Sequence, residues 1–507
     1  MNHDKGAYRD FVQSRCQTNP CVTGLADYLR CRSGSTSTIV TLDYPRSEQP
    51  APNPLTVSEA DLAKLIDTTS TTDGRILLVE NIQPHLICLL GEILDVDPVF
   101  FAGHITDFKD IEKAPPPPSL ALFPSQIAEK GYLHLHYQQV LDLGSADTFK
   151  LSSYSLKSDS NVPRNVRRLP NLSGRQLALA RACCSILVKK IKDSCICKSD
   201  SDVHYLMTES LTSLGLVLVD PPATTVVETL GSGGRKSYPS MLLHGGFEDF
   251  EHSTSFASFG SITSDRLPDK KSMLSNLLHY FRHQPPGFTM AEPSILSLGY
   301  YPIRIVLAEW NLYTHLMSRY FKYYEYTLHD TENRLHGSDI IDLQRWRRRS
   351  MQSRHKLTLL SEFIDHWLQQ EAEKEPWNLA LKDIKHTLSQ LEHYNRSLEH
   401  MIPVATSMVQ LLDSRRSMLE AANVSRLTLI ALVFVPLSWV ASLFSMSEDY
   451  SPGRKNFWVY FATALPVLIL VLSLSAVQWD QLEGKLNRIG ADSRRQAARR
   501  RAEVVFA

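Results

Sequence analysis

Two long uncharged runs, separated by only ten residues, constrain this chain more than any other feature. Residues 427–446 read LTLIALVFVPLSWVASLFSM and residues 457–477 read FWVYFATALPVLILVLSLSAV, with no Asp, Glu, Lys or Arg in either. At a helical rise of about 1.5 Å per residue each covers roughly 30 Å, the hydrocarbon thickness of a bilayer. Two buried core helices are the alternative, but runs of that length and purity are rare inside soluble cores. Trp439, Trp458, Tyr460 and Trp479 add aromatic rings, three of them near the ends of the runs, where the bilayer interface favours them. The expected structure is a tight hairpin: transmembrane helix 1 over 427–446, a short outer loop over 447–456, and transmembrane helix 2 over 457–477.

Lys485, Arg488, Arg494, Arg495, Arg499, Arg500 and Arg501 follow the second run, and Arg415, Arg416 and Arg426 precede the first. The loop between holds only Arg454 and Lys455. Ten basic residues against two put both outer ends on the cytosolic (or matrix) side, with a basic cytosolic tail over 478–507. The opening residues, MNHDKGAYRDFVQSRC, have neither the apolar core of a secretory signal nor an Arg-rich amphipathic pattern. The plasma membrane or another cytosol-facing membrane is therefore the expected location. A mean hydropathy of −0.19 excludes a chain that is mostly membrane. With 54 Lys plus Arg against 54 Asp plus Glu there is no net basic charge, which argues against a dedicated nucleic-acid binder.

Within the first run, Leu427, Ala431, Val435, Ser438, Ser442 and Ser445 follow one another at steps of 4, 4, 3, 4 and 3, so they share one helical face. Such a stripe of small and hydroxylated residues has two readings. It can be a close-packing face between helices, or the wall of a pore when several copies ring an axis. One such helix per chain cannot enclose a pore, so transport demands an oligomer. Pro436 and Pro466 lie mid-helix, where each removes a backbone donor.

Upstream, residues 377–426 contain one proline, Pro403, and no glycine. Leu381, Ile384, Leu388, Leu391, Leu398, Ile402, Ala405, Leu412 and Leu419 form a near-heptad stripe, predicting a coiled-coil-like stalk helix. A helical pattern over 339–372 precedes it, and Pro376 suits a first helical turn, so residues 338–426 read as a helical hairpin. The cluster Arg345, Arg347, Arg348 and Arg349 reads as a solvated face or a subunit contact. Residues 71–330 read as an α+β cytosolic domain behind an N-terminal variable region, 1–70. Strands are expected at 75–80, 132–142 and 214–219, and helices at 83–95 and 300–326, the latter rich in aromatics. His134 and His136 share a strand face that reads as solvated rather than metal-binding. Pro115–Pro118 and the Ser-rich and Gly-rich stretches around 229–271 read as insertions. The eight cysteines lack zinc-ligand spacing, and Gly231, Gly233 and Gly234 are not followed by the GKS or GKT of a phosphate loop. No nucleophile elbow, zinc-protease motif or kinase set is present. No catalytic residue and no cofactor-binding residue is assigned, and the chain is not expected to be an enzyme.

These features resemble the CorA family of magnesium and divalent-cation channels. The resemblance lies in Arg426-Leu427-Thr428, in Phe434-Val435-Pro436-Leu437-Ser438, and in Phe444 and Met446. Residues 76–105, ILLVENIQPHLICLLGEILDVDPVFFAGHI, also look like the cytosolic domains of divergent CorA-like proteins of filamentous fungi. The resemblance implies a funnel-shaped homopentamer with a cytosolic domain, a long stalk helix and two membrane helices. It implies that Leu427, Ala431, Val435, Ser438 and Ser442 line the pore, with Ser445, Met446, Ser447, Glu448 and Asp449 at its outer mouth. Mg²⁺ or another divalent cation is then the transported ion and a regulatory ligand; the partners are the bilayer and further copies of the chain. The family closes its first membrane helix with Gly-Met-Asn, whereas this chain has Ser445-Met446-Ser447. Hydroxyls are oxygen acceptors but shorter than an amide, so they make a differently sized ring, and magnesium selectivity does not carry over. Glu448 and Asp449 either concentrate cations or cap a polar loop. A non-conducting, membrane-anchored sensing or interaction module is the alternative function.

Overall fold

The computed structural model describes residues 7–31, 34–45, 53–67, 72–105, 126, 129–149, 152–192, 211–229, 234–243, 250, 272–286, 288, 294–329, 337–371, 374–446 and 455–473. Cys195, Cys197, the Pro115–Pro118 run, Gly231, Gly233, most of 229–271, residues 474–477 and the tail over 478–507 lie outside them. Two compact units are distinguished, residues 1–403 and 404–507.

In the first unit the described strands make one mixed sheet. They are β1 (Thr38–Pro45), β2 (Leu55–Thr56), β3 (Thr72–Glu80), β4 (Tyr132–Ser145), β5 (Ser155–Ser158), β6 (Asn165–Arg168), β7 (Arg175–Lys192), β8 (Leu211–Val219), β9 (Thr225–Thr229), β10 (Arg235–Pro239) and β11 (Met241–Leu242). The order is β10-β9-β5-β6-β7-β8-β3-β1-β2, with β4 pairing β7 and β11. β3 and β8 run parallel, Gly74 opposite Ser213 through Glu80 opposite Val219, and the other described pairs are antiparallel. β1 lies within residues 1–70 and pairs with β3 from Thr38–Glu80 onward, so this N-terminal stretch contributes to the sheet.

β3 and β8 are apolar at successive positions because both faces are covered. Leu77, Val79, Leu214, Leu216 and Leu218 pack on one side with four helices: α1 (Ala7–Thr18), α2 (Thr23–Tyr28), α4 (Pro84–Ile93) and α5 (Pro98–His104). A further helix, α3 (Glu59–Asp67), places Leu62 in the same core. The predicted helix over 83–95 ends at Ile93, and Asp97 then caps α5 by accepting from the Val99 amide at 3.0 Å, with Pro98 in the first turn. Two phenols tie these helices down: Tyr8 donates to the Val96 carbonyl at 2.7 Å and Tyr28 to that of Ile82 at 2.8 Å. A second core, around Leu141, Phe149, Leu156, Val166, Ala180, Val226 and Tyr238, fills the other end of the sheet. β7 reaches both, with Ala178 and Ala180 in one core and Leu187 in the other.

Next come α6 (Met273–Tyr280), α7 (Ile295–His329), α8 (Gly337–Leu368) and α9 (Glu375–Phe444). α7 presses onto the sheet closely enough that a Cβ on Gly215 would lie 2.8 Å from Leu298. Most of its aromatics are core: Trp310, Tyr313, Tyr320, Phe321 and Tyr324 are buried, whereas Tyr326 is 68% exposed, and the Trp346 ring of α8 lies 5.3 Å from that of Tyr320, tilted to it. The start of α9 packs on these helices through Trp377, 5.2 Å from Tyr300, and Tyr394, 5.0 Å from Phe321. Ile384, Leu391 and Leu398 of the heptad stripe are fully buried, whereas Leu419 is 68% exposed.

The basic cluster on α8 divides. Arg347 and Arg348 are exposed, but Arg345 lies 3.7 Å over the Tyr154 ring, while Arg349 hydrogen-bonds the Tyr154 hydroxyl and stacks on Trp346. A charge pattern cannot distinguish a solvated guanidinium from one stacked on a ring brought in from a distant part of the chain.

Gly91 of α4 tests this packing, because a Cβ there would stand 2.3 Å from the Tyr8 ring, and an aromatic ring fixed by its own hydroxyl bond cannot swing aside. Gly91→Ala is expected to destabilise the fold by about 1–3 kcal/mol, read as a lower midpoint in thermal unfolding of the full chain.

Candidate functional site

Beyond Pro403, α9 runs on through Pro436 to Phe444, and a short apolar helix, α10, occupies Trp458–Ser473. Among the described residues α9 is the one helix long and apolar enough to cross a membrane, and only 6% of its apolar window is buried inside the chain. That exposure removes the core-helix alternative for the first run: Leu427, Leu429, Ile430, Phe434 and Val435 are 53–68% exposed. α10 has 16 residues within the described part, about 24 Å of rise.

The side of α9 that is covered can be read residue by residue. Val433, Pro436, Leu437 and Phe444 are half-buried and Val440 is 3% exposed, forming one face around Val440. Across from it on α10, Ala464 is also 3% exposed, and Phe444 meets Tyr460 edge-on at 6.0 Å. Nine residues, two and a half turns, separate Ala431 from Val440, so they point to opposite sides of the helix. Leu427, Ala431, Val435, Ser438, Ser442 and Ser445 are all exposed, as is Met446 at 85%. The hydroxylated stripe therefore faces away from α10. Ser438 donates to the Val435 carbonyl at 2.9 Å, so its proton is committed to the helix and its oxygen remains an outward acceptor. Ser447, Glu448 and Asp449 lie outside the described residues.

A second polar constellation lies in the α/β unit, and its members are scattered in sequence. The β4–β7 ladder sets His134 opposite Ser185, His136 opposite Cys183 and Gln138 opposite Arg181. α5 lays His104 over them, so Ser185 Oγ lies 2.9 Å from His104 Nδ1 and 2.8 Å from His134 Nδ1. Asp220, just past β8, accepts from Arg164 Nε and Nη2, both at 2.8 Å, and from the Cys183 amide at 2.7 Å. Ser185, His104 and Asp220 have the composition of an acyl-transfer triad, but Ser185 and His104 are 0% and 1% exposed. His104 Nε2 stands 3.8 Å from Asp220, beyond a hydrogen bond. No substrate reaches this serine, and the group acts as a polar knot joining α5 to the sheet. Among the described residues no three His, Cys, Asp or Glu side chains converge as a metal site.

The two histidines of β4 are thus half-buried in packing, not the solvated face the alternation suggested. His134 stacks on Phe100 at 5.4 Å, and Gly103 of α5 passes so close that a Cβ would lie 2.3 Å from its Nε2. Polar side chains alternating along a strand look alike whether water or a helix covers them. The signal that could have found the knot is the neighbouring AGH of residues 102–104, a small residue before a histidine on an otherwise apolar helix.

Residues 302–479 match the family model described as CorA-like Mg2+ transporter protein. Among solved structures, the complete CorA magnesium transporter of Methanocaldococcus jannaschii overlaps 87% of this chain and 98% of its own, at 11% identity and a TM-score of 0.29. The full-length CmaX protein overlaps 88% and 99%, at 12% identity and a TM-score of 0.36. The soluble domain of the Methanocaldococcus jannaschii CorA overlaps 75% and 97%, at 10% identity and a TM-score of 0.30. No curated protein matches the chain.

Burial, followed by the nearby Arg164 charge, holds His134 down to about 4 and His104 well below its usual 6.5; burial and then Lys356 do the same to His136. Unfolded histidines take up protons at about 6.5, before the folded ones do. The contribution is therefore complete above that pH and lost as the pH falls toward about 4. Thermal unfolding followed between pH 7 and pH 4 is expected to show the midpoint falling across that window. Ser185→Ala, which strips both imidazoles of their shared partner, is expected to cost about 1–3 kcal/mol at neutral pH.

Proposed function

From the CorA-like domain at residues 302–479, we propose that this chain is a divalent-cation transporter, for magnesium or another divalent ion, embedded in the membrane as a homopentamer. In this reading α9 and α10 are the two spans, and both outer ends face the cytosol. The observation that carries it is the exposure of Leu427, Ala431, Val435, Ser438 and Ser442 on the side of α9 opposite Val440. If the stripe served hairpin packing, it would face α10. Pointing away, it is left for other copies and the space between them.

A ring of such helices offers a hydrated cation a wall of outward hydroxyl oxygens at Ser438 and Ser442. Mg²⁺ gives up its waters reluctantly, so the wall has only to accept hydrogen bonds from the water shell. Ser445, Met446 and Ser447 then form the outer mouth, and the carboxylates of Glu448 and Asp449, repeated around the ring, raise the local cation concentration. A second reading, a non-conducting membrane-anchored sensing or interaction module, draws its support from Ser445 and Ser447, which stand where the family pattern has Gly and Asn.

Mg²⁺ and Ni²⁺ flux into proteoliposomes holding the full-length protein decides between them. The parent is expected to conduct, Glu448→Ala/Asp449→Ala to slow entry by about threefold or more, and Ser438→Leu to reduce it below about a tenth. A silent parent that gains flux with Ser445→Gly/Ser447→Asn would mean an intact pathway without a working mouth. No flux from either, in a folded oligomer, overturns the transporter reading and leaves the anchored module.

A further inference from the structure

A cavity of 440 Å³ opens where the later part of α1, the start of α5, the start of β4 and the later part of β7 meet. Its volume lies within the range of small-ligand sites. Arg15 comes from α1, Asp95 and Asp97 from the turn between α4 and α5, Lys130 from just before β4, and Lys189 from β7. Four of these five charges are already matched. Lys130 Nζ lies 2.6 Å from Asp97 Oδ2, and Lys189 Nζ donates to the Asp95 carbonyl at 2.7 Å and lies 3.4 Å from the Asp95 carboxylate. The other Asp97 oxygen accepts from the Val99 amide. The Arg15 guanidinium has no hydrogen bond or ion pair among the described residues; Asp97 feels its charge without touching it.

A second group in the same wall also lacks a partner. Tyr132, opposite Leu187 in the β4–β7 ladder, is 2% exposed, and its hydroxyl is buried with no hydrogen bond among the described residues. A buried hydroxyl costs free energy unless something meets it. Burial, and then the Asp97 charge, push this phenol up, so it keeps its proton and stands as a donor. Phe11, Phe100 and Leu187 supply apolar surface beside the two donors. Three cations against two carboxylates leave one positive charge, which a monoanion neutralises and a dianion exceeds. A planar guanidinium grips a carboxylate through two parallel hydrogen bonds. The apolar wall then calls for a hydrocarbon or aromatic body on that carboxylate, in place of a bare inorganic ion.

We propose that this cavity binds a small monocarboxylic acid in its ionised form, the carboxylate held by the Arg15 guanidinium and the Tyr132 hydroxyl and the apolar body lying against Phe11, Phe100 and Leu187. A ligand there would tie α1 to β4 and β7. The inference does not depend on the transport reading, because it concerns the α/β unit alone and is read by binding.

The test is equilibrium binding to the full-length protein in detergent micelles, by titration calorimetry. Benzoate and hexanoate serve as the carboxylate probes, benzamide as the uncharged analogue and phenyl phosphate as the dianion. Saturable binding of benzoate or hexanoate is expected, at least about tenfold tighter than that of benzamide or phenyl phosphate. The tighter of the two carboxylates tells whether the favoured body is aromatic or aliphatic. Arg15→Gln is expected to weaken binding at least about tenfold. Tyr132→Phe keeps the ring and removes only the unpartnered hydroxyl. It is expected to weaken binding about threefold or more while leaving the unfolding midpoint of the ligand-free protein unchanged or raised. Lys157→Gln, on β5, is expected to leave binding unchanged. Unfolding midpoints confirm that each variant is intact. No saturable binding of either carboxylate, equal or tighter binding of benzamide or phenyl phosphate, or binding that survives Arg15→Gln in a folded protein overturns the proposal.

Discussion

An apolar helix that its own chain leaves uncovered is the constraint on which the rest of this structure depends. From Leu427 to Met446 most of the side chains that would build a core in a soluble protein stand open. A surface of that kind is unstable in water, so a bilayer, other copies of the chain, or both must cover it. α10 covers the side around Val440, and the opposite side carries the hydroxyls. That division gives the stripe its meaning. A helix buried all round would have made the serines packing residues, whereas a helix covered on one side leaves them exposed.

The α/β unit solves a different problem with the same economy of residues. Its sheet is closed on one side by α1, α2, α4 and α5 and pressed on the other by α7, so the paired centres of β3 (Ile76–Val79) and β8 (Leu214–Val219) carry no charged or polar side chain. β4 and β7 are the exception, with a polar file running from His134 and Ser185 through His136 and Cys183 to Gln138 and Arg181. At one end α5 seals it and every nitrogen facing Ser185 finds that oxygen; further along it opens into a cavity beside α8. Buried polar groups cost free energy unless partnered. The sealed end meets most of that demand internally with Ser185, Asp220 and Arg164, leaving the outer nitrogen of His134 without a hydrogen bond among the described residues.

The elements that the sequence showed best are those governed by local rules. The strand at 75–80 and the helices at 83–95 and 300–326 follow from runs, prolines and period, and α9 starts one residue before Pro376. The 18-residue β7 was not legible, because RQLALARACCSILVKKIK is as compatible with a helix as with a strand. Its state is settled by ladders to β4, β6 and β8, two of which, β4 and β8, are separated from it by long stretches of chain. The same holds for Arg345 and Arg349, whose partner Tyr154 precedes them by almost 200 residues.

Of the candidate pathway, the sequence by itself determined that the stripe exists: a 3.6-residue period and residue size suffice to put Leu427, Ala431, Val435, Ser438 and Ser442 on one side. It also fixed the absence of charge across two spans' worth of chain, since hydropathy is a property of composition. Only the tertiary structure decided which way the stripe points, because that depends on where α10 lies against Val440 and Phe444. It alone brought His104, His134 and Ser185 to one point and gathered Arg15, Asp97 and Tyr132 around one cavity. Periodicity acts within a single helix or strand, whereas contact between elements is set by the packing of the whole fold.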